Sequence, residues 1–271
     1  MSKRITKKDT ILTCPFIRKQ CEDMAIVGLQ KMHRFVYEQT GNNRSSSKTD
    51  VLHSLFENLI YSAFGGYSDH YKAYFPMNVE KLKIKSNKSN KIRKIKDMYG
   101  KDFHVDISLN DENGNLNSVF LLKAPLTSIN KNVYNMINSN FGEINRFFGN
   151  SEHKNCKLIF VNFIPVQSFF ANGENLENEK TKYIGLTDGG DESPLAKSIL
   201  QEEYKKNIHC IDIHYNLELG IDLNDIHNKQ MLSDVFNTIS NRQFITLNDD
   251  SFDSFFKYID SFINEHKAIF N

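Results

Sequence analysis

The chain has 271 residues, of which 39% are hydrophobic and 25% charged, the balance of an ordinary globular protein. That excludes a collagen, a fully disordered chain and a disulfide-dense miniprotein. A formal net charge of +1 also excludes a molecule that is strongly basic throughout. The charge is nevertheless uneven. Residues 81–101 carry nine Lys/Arg and one acid, whereas residues from 211 onward carry ten acids and four Lys/Arg. Cations gathered in one segment point to local anion binding there, and the acidic C-terminal part is a poor surface for a nucleic acid.

Met1-Ser2-Lys3-Arg4 is followed by no long apolar run, so no targeting segment is expected. No stretch approaches about 18 uninterrupted apolar residues, so no membrane span or membrane partner is expected. Cys14, Cys21, Cys156 and Cys210 are scattered without C-x-x-C spacing, which argues against a zinc knuckle or a disulfide framework. A reducing, cytoplasmic setting is the simplest expectation.

Residues 1–48 read as a basic, helical N-terminal segment. Met24-Ala25-Ile26-Val27-Gly28-Leu29 is its apolar stretch, and the turn-rich Gly41–Ser47 ends it. Residues 49–271 read as one α/β domain. Its first helix starts at Thr49 or Asp50, either of which can cap it. Leu52, Leu55, Phe56, Leu59, Ile60 and Phe64 form one apolar face, and Gly65-Gly66 closes the helix. In the basic segment, Lys83 and Lys85 alternate with Leu82 and Ile84 as in a strand. The rest, with Lys88 and Arg93, reads as loop.

The clearest local signal follows. Phe103-His104-Val105-Asp106-Ile107-Ser108-Leu109 alternates apolar and polar, as a half-buried strand does. Asn113-Gly114 is a preferred pair for a two-residue turn, and Asn117–Lys123 returns as a second strand. With that turn, paired residue numbers sum to 227, so Asp106 faces Leu121 and His104 faces Lys123. Side chains alternate along a strand. His104, Asp106, Ser108, Val119, Leu121 and Lys123 therefore share one face. Phe103, Val105, Ile107, Phe120 and Leu122 share the other, which is expected to be the buried one. Residues 132–148 have helical spacing, with Val133, Ile137, Phe141, Ile144 and Phe148 on one side. Cys156–Ile164, ended by Pro165, is a near-continuous apolar run and reads as a central strand covered on both faces. Ile208–Tyr215 reads as another strand. Residues 250–270, rich in Phe, read as an amphipathic helix that serves as core or as a dimer interface. The fold class is thus α/β: a mixed sheet with a central hairpin flanked by helices.

The hairpin places a carboxylate and a lysine on one face. A carboxylate holds Mg2+ through oxygen. A bound metal acidifies its water and clamps a phosphate. A nearby lysine orients the attacking water or stabilises developing charge. The bland alternative is an exposed cross-strand ion pair between Asp106 and Lys123.

The order Asp106, hairpin, Lys123, helix and apolar strand resembles the core of the PD-(D/E)XK nucleases, especially type II restriction endonucleases. The resemblance covers about residues 50–165, and its motifs are short. It implies a restriction-endonuclease-like core, with the C-terminal strand and helix as an elaboration. It implies Mg2+ as cofactor and double-stranded DNA as substrate, cut to leave a 5′-phosphate. A palindromic site would call for a homodimer. Asp106 and Lys123 take the motif positions, and Glu57 matches the acid that the family often carries on the helix before the hairpin. Val105 stands where the family usually has Pro. Leu121 stands where it has Glu or Asp. Some relatives move that acid to the next helix, where Glu143 is the only acid. The metal ligands expected are Asp106, Glu57 and Glu143. The DNA contacts expected are Lys83, Lys85, Lys88 and Arg93, the polar loop with Ser128, Asn130, Lys131 and Asn132, and Arg146, which could instead pair with Glu143. Leu121 also favours a second reading, a catalytically silent DNA-binding protein with the same fold.

Overall fold

The computed structural model describes residues 15–38, 83–86, 95–110, 115–126, 128–181, 204, 206–239, 242–248, 253, 255–258 and 261. Three helices are described in full: α1 (Pro15–Glu38), α2 (Ile129–Phe148) and α3 (Lys229–Ile239). The strands are β1 (Lys83–Ser86), β2 (Ile95–Lys96), β3 (Asp102–Phe103), β4 (Ile107–Asn110), β5 (Leu116–Lys123), β6 (Lys157–Pro165), β7 (Gln167–Asn172), β8 (Asn175–Lys180), β9 (Ile208–Leu217) and β10 (Ile245–Leu247). The main sheet has the order β1-β4-β5-β6-β9-β10. Its middle, β5-β6-β9, is parallel, and the outer pairs are antiparallel. Two short hairpins, β2–β3 and β7–β8, stand apart from it.

Burial explains the layers. In β6, Leu158 and Phe160 point to one face, and Ile159, Val161 and Phe163 to the other. The first face packs with Val119 and Leu121 of β5, Ile208 of β9, and Ile144, Phe147 and Phe148 of α2. The second packs with Ile107, Phe120, Leu122, Ile211, Ile213 and Tyr215, and with α1 and α3. Parallel strands cannot be joined by a tight turn. Helix α2 is the crossover from β5 to β6, and it covers one face as it passes. On the opposite face α1 contributes Cys21, Ala25, Leu29, Met32 and Val36, and α3 contributes Leu232, Phe236 and Ile239. The described residues of the C-terminal segment are helical, and Phe255, Phe256 and Tyr258 join this same core. The mixed α/β expectation therefore holds, and β6 is covered on both faces as its sequence predicts.

The hairpin departs from expectation in four ways. First, the predicted register holds from Ile107↔Phe120 to Leu109↔Ser118, then shifts at Asn110↔Leu116. Asn113-Gly114 lies outside the described residues. Second, the predicted strand is broken: His104, Val105 and Asp106 belong to no strand, so the pairing of His104 with Lys123 does not form. The break moves Phe103 and Val105 into the α2-side core with Val119 and Leu121, rather than with Ile107 and Phe120. Third, the face bearing Val119 and Leu121 is not open to water. Leu121 is 4% exposed beneath α2. The sequence alternation does not reveal a helix that will return over the polar face. Fourth, the hairpin is off-centre, because the middle of the sheet is the parallel β5–β6 pair. The helix expected over 50–64 lies outside the described residues.

One buried group gives the α1 side a pH dependence. His33 is wholly buried and its Nε2 lies 2.9 Å from the Tyr215 hydroxyl. It stacks on Tyr37 and Phe236. Burial lowers its pKa from 6.5 to about 3, so the ring is neutral when folded. The unfolded chain takes up this proton below about pH 6.5, the folded chain only near pH 3, so stability falls as pH drops through that window. By pH 4 the loss is on the order of 3 kcal/mol. Urea unfolding from pH 7 to 4 is expected to show this slope, and His33→Gln is expected to flatten it while lowering stability at pH 7.

Candidate active site

Strand β5 runs past the end of β4, and the overhang creates the site. Beyond the last ladder pair, the Asp106 N–H donates to the Phe120 carbonyl at 3.1 Å. The Asp106 carboxylate turns back, and its Oδ2 accepts the Leu122 N–H at 2.7 Å. A side chain thus replaces the missing main-chain acceptor. Lys123, the next residue, ends β5 with its Nζ 2.8 Å from Oε1 of Glu143 on α2. Both side chains are about three-quarters covered, at 27% and 25% exposure. The other oxygen, Oε2 of Glu143, is buried without a hydrogen-bond partner. A buried acceptor left without a partner is costly unless something donates to it or coordinates it. The structure therefore pairs Lys123 with Glu143 and anchors the Asp106 carboxylate on the residue next to Lys123, three of the residues singled out in the sequence.

Register adds two residues that the sequence reading passed over. Lys123 pairs with Asn162 of β6, and Asn162 pairs with Asp212 of β9. The three form a row on the α2 side of the sheet, near the C-terminal ends of three parallel strands. Open α/β sheets hold their ligands at such ends. Asn162 is 3% exposed and its Nδ2 donates to Asp212 Oδ1 at 2.6 Å. A signal was present: Asn162 is the one polar residue inside the run Leu158–Ile164, and Asp212 is flanked by Ile211 and Ile213.

The remaining candidates fall elsewhere. Glu57, Lys88 and Arg93 lie outside the described residues. Lys83 and Lys85 sit on β1, opposite Asn110 and Ser108. Ser128, Asn130, Lys131 and Asn132 do not form a free loop, because α2 begins at Ile129. Ser128 adopts φ 53 and ψ 37, a left-handed conformation that costs a non-glycine residue about 1–2 kcal/mol. The β7–β8 hairpin holds it there. Its N–H donates to the Phe169 carbonyl at 2.8 Å, and its Oγ accepts the Ala171 N–H at 3.2 Å. Asn130 donates to the Lys180 carbonyl, Lys131 lies over the Phe170 ring, and Asn132 donates to the Ser128 carbonyl.

Arg146 pairs with Asp97 rather than with Glu143, while 43% of its side chain stays exposed. Its Nη2 and Nε lie 2.6 and 2.8 Å from Oδ2 of Asp97, and its guanidinium lies over the Phe103 ring. Oδ1 of Asp97 accepts the Tyr99 and Lys101 N–H groups, each at 2.9 Å. Burial by itself raises the Asp97 pKa. The Arg146 hydrogen bond, with the Lys101 and Tyr99 N–H groups, outweighs it and holds the carboxyl below its ordinary value. Arg146 is thus tied to the β2–β3 turn, because α2 presents it directly over the buried acid.

Among the described residues, no group of three or more His, Cys, Asp or Glu is close enough to hold a metal ion. No helix among them is long and apolar enough to cross a membrane. No family model and no curated protein matches the chain.

The Asn162–Asp212 bond has a measurable consequence. Asn162→Leu keeps the branched side-chain skeleton but removes the donor to a half-buried carboxylate. It is expected to cost about 1–3 kcal/mol, read as a lower urea midpoint with unchanged slope.

Proposed function

We propose that the chain is a Mg2+-dependent endonuclease acting on double-stranded DNA, of the PD-(D/E)XK, type II restriction type, with its second acid on α2 rather than at position 121. The observation that carries this reading is the Lys123–Glu143 pair beside Asp106, with Glu143 Oε2 buried and unpartnered. The strand arrangement supports it as well. The β4–β5 hairpin is followed by helix α2 and the apolar strand β6, the order on which the resemblance rests. Position 121 is packed under α2, so an acid is better accommodated on the helix above it.

The oxygen chemistry of these carboxylates supports Mg2+ as the cofactor. Mg2+ is commonly held by one or two carboxylates, water and substrate phosphate. Asp106 and Glu143 would supply the carboxylates, with Glu57 as a third. Bound there, the ion would acidify a water and neutralise charge on the scissile phosphate. Asp106 is oriented by the Leu122 N–H and Glu143 by Lys123. Lys123 would hold the hydrolytic water and stabilise the negative charge on the phosphoryl oxygens. Water attack would release the 3′ oxygen and leave a 5′-phosphate, as the resemblance implies. A palindromic target would be met by a homodimer. The basic segment with Lys83, Lys85, Lys88 and Arg93 would take up backbone phosphates.

A second reading, a DNA-binding protein without catalysis, is favoured by Leu121 and by the engagement of Lys123 with Glu143. Incubation with mixed plasmid and phage DNA separates the two. Cleavage is expected with Mg2+ and not with EDTA, as discrete bands on a gel. Lys123→Ala is expected to lower the rate about 10²–10³-fold. Asp106→Asn keeps an acceptor for the Leu122 N–H and Glu143→Gln an acceptor for Lys123, so both are expected to stay folded and bind DNA without cutting. A salt-sensitive mobility shift with no cutting at any Mg2+ concentration establishes the silent binder instead.

A further inference from the structure

The β2–β3 turn, Asp97-Met98-Tyr99-Gly100, is fastened more tightly than its size requires. Beneath it Asp97 is 2% exposed. Both of its carboxylate oxygens are engaged, by Arg146 on one side and by the Tyr99 and Lys101 N–H groups on the other. The Asp97 N–H donates to the Lys101 carbonyl, the Gly100 N–H to the Asp97 carbonyl, and the Met98 N–H to the Arg146 carbonyl. Asn150 donates to the Lys96 carbonyl. Met98 lies so close over Gly149 that a Cβ there would meet its sulfur at 2.7 Å. Gly100 takes φ 69, which closes the turn. What this scaffold presents is apolar: Tyr99 is 69% exposed and Met98 45%.

Its surroundings are cationic. Lys101 flanks the turn and is exposed, Lys96 on its other side is exposed but paired with Asp102 at 2.7 Å, and Lys91, Arg93 and Lys94 precede it in sequence. Asp97, the only acid in residues 81–101, is turned inward onto Arg146, so the acid that meets these cations at the surface is Asp102, on Lys96. Arg146 lies three residues after Glu143 on α2, about 4.5 Å along the helix axis, so the turn borders the candidate site. A rigid aromatic among cations matches a polymer with stackable rings and phosphates. A turn ordered in advance loses little freedom on binding.

We propose that the Met98-Tyr99 turn is a preformed DNA contact, with Tyr99 packing against a base or sugar while Lys101 faces a phosphate. This rests on the DNA reading above and adds a binding element to it. The chain has no tryptophan, so Tyr99→Trp supplies a single reporter. Met231→Trp on α3, on the opposite face of the sheet, supplies its control. The full chain is titrated in EDTA with a labelled mixed-sequence duplex, reading anisotropy and tryptophan emission. On duplex binding, the emission of the Tyr99→Trp variant is expected to be quenched saturably and restored by salt, with that of Met231→Trp unchanged. Tyr99→Ala is expected to weaken duplex affinity about tenfold, Tyr99→Phe less than twofold, and both to melt as wild type. If wild type binds the duplex but the Tyr99→Trp emission stays constant and Tyr99→Ala binds equally well, the turn is no DNA contact and the DNA reading stands. If wild type shows no duplex binding, both fall. An emission shift that follows protein concentration without DNA makes the turn a protein interface and overturns the proposal.

Discussion

Strand β6 presents eight consecutive buried residues, Leu158 to Pro165, and so has no face left for water. A strand of that kind must lie between two neighbours and beneath cover on both faces. Strands β5 and β9 supply the neighbours, both parallel to it. Parallel neighbours need long crossovers, and α2 is the one that joins β5 to β6. The covering of β6 therefore dictates the course of α2, and α2 in turn sets the chemistry. It brings Glu143 to Lys123 and Arg146 to Asp97, while its apolar side closes over Leu121.

That covering redistributes polar groups in a particular way. Toward the lower part of the sheet the α2 face is wholly apolar, with Leu158, Phe160, Val119 and Leu121. Near the C-terminal strand ends it carries the row Lys123, Asn162 and Asp212, with Asp106 at the β4 edge. Each of these polar groups has an explicit partner, as burial requires. Glu143 Oε2 is the exception at this site, buried without a hydrogen-bond partner. The polar start of α2 is spent differently. Ser128, Asn130 and Lys131 anchor the β7–β8 hairpin to the helix, and Ser128 tolerates its left-handed backbone because two hydrogen bonds hold it.

Much of the secondary structure was legible in the chain itself. The continuous apolar run of β6, the alternation in β9 and the helical spacing of α2 each name their element, because periodicity follows the geometry of the backbone. The core of the hairpin register was legible for the same reason. Other elements carry weak signals. Strands β7 and β8 are polar and mixed, and β2, β3 and β10 are two or three residues long, whereas α3 carries Leu232, Val235, Phe236 and Ile239 at helical spacing, a signal that the sequence reading passed over. Their stability comes from what they pack against, which no local window contains.

The sequence by itself determined a mixed α/β chain, a doubly covered central strand, and the core register of a hairpin whose second strand ends at Lys123. It also determined Glu143 as the only acid of its helix. Tertiary structure decided which of these groups meet. The angle at which α2 crosses the sheet sends Glu143 rather than Arg146 to Lys123, and buries Leu121 on a face that alternation marks as polar. Strand register aligns Asn162 and Asp212, 50 residues apart, into one hydrogen bond. Contacts of that kind depend on the packing of both faces of the sheet at once. Local periodicity records only one strand or helix at a time.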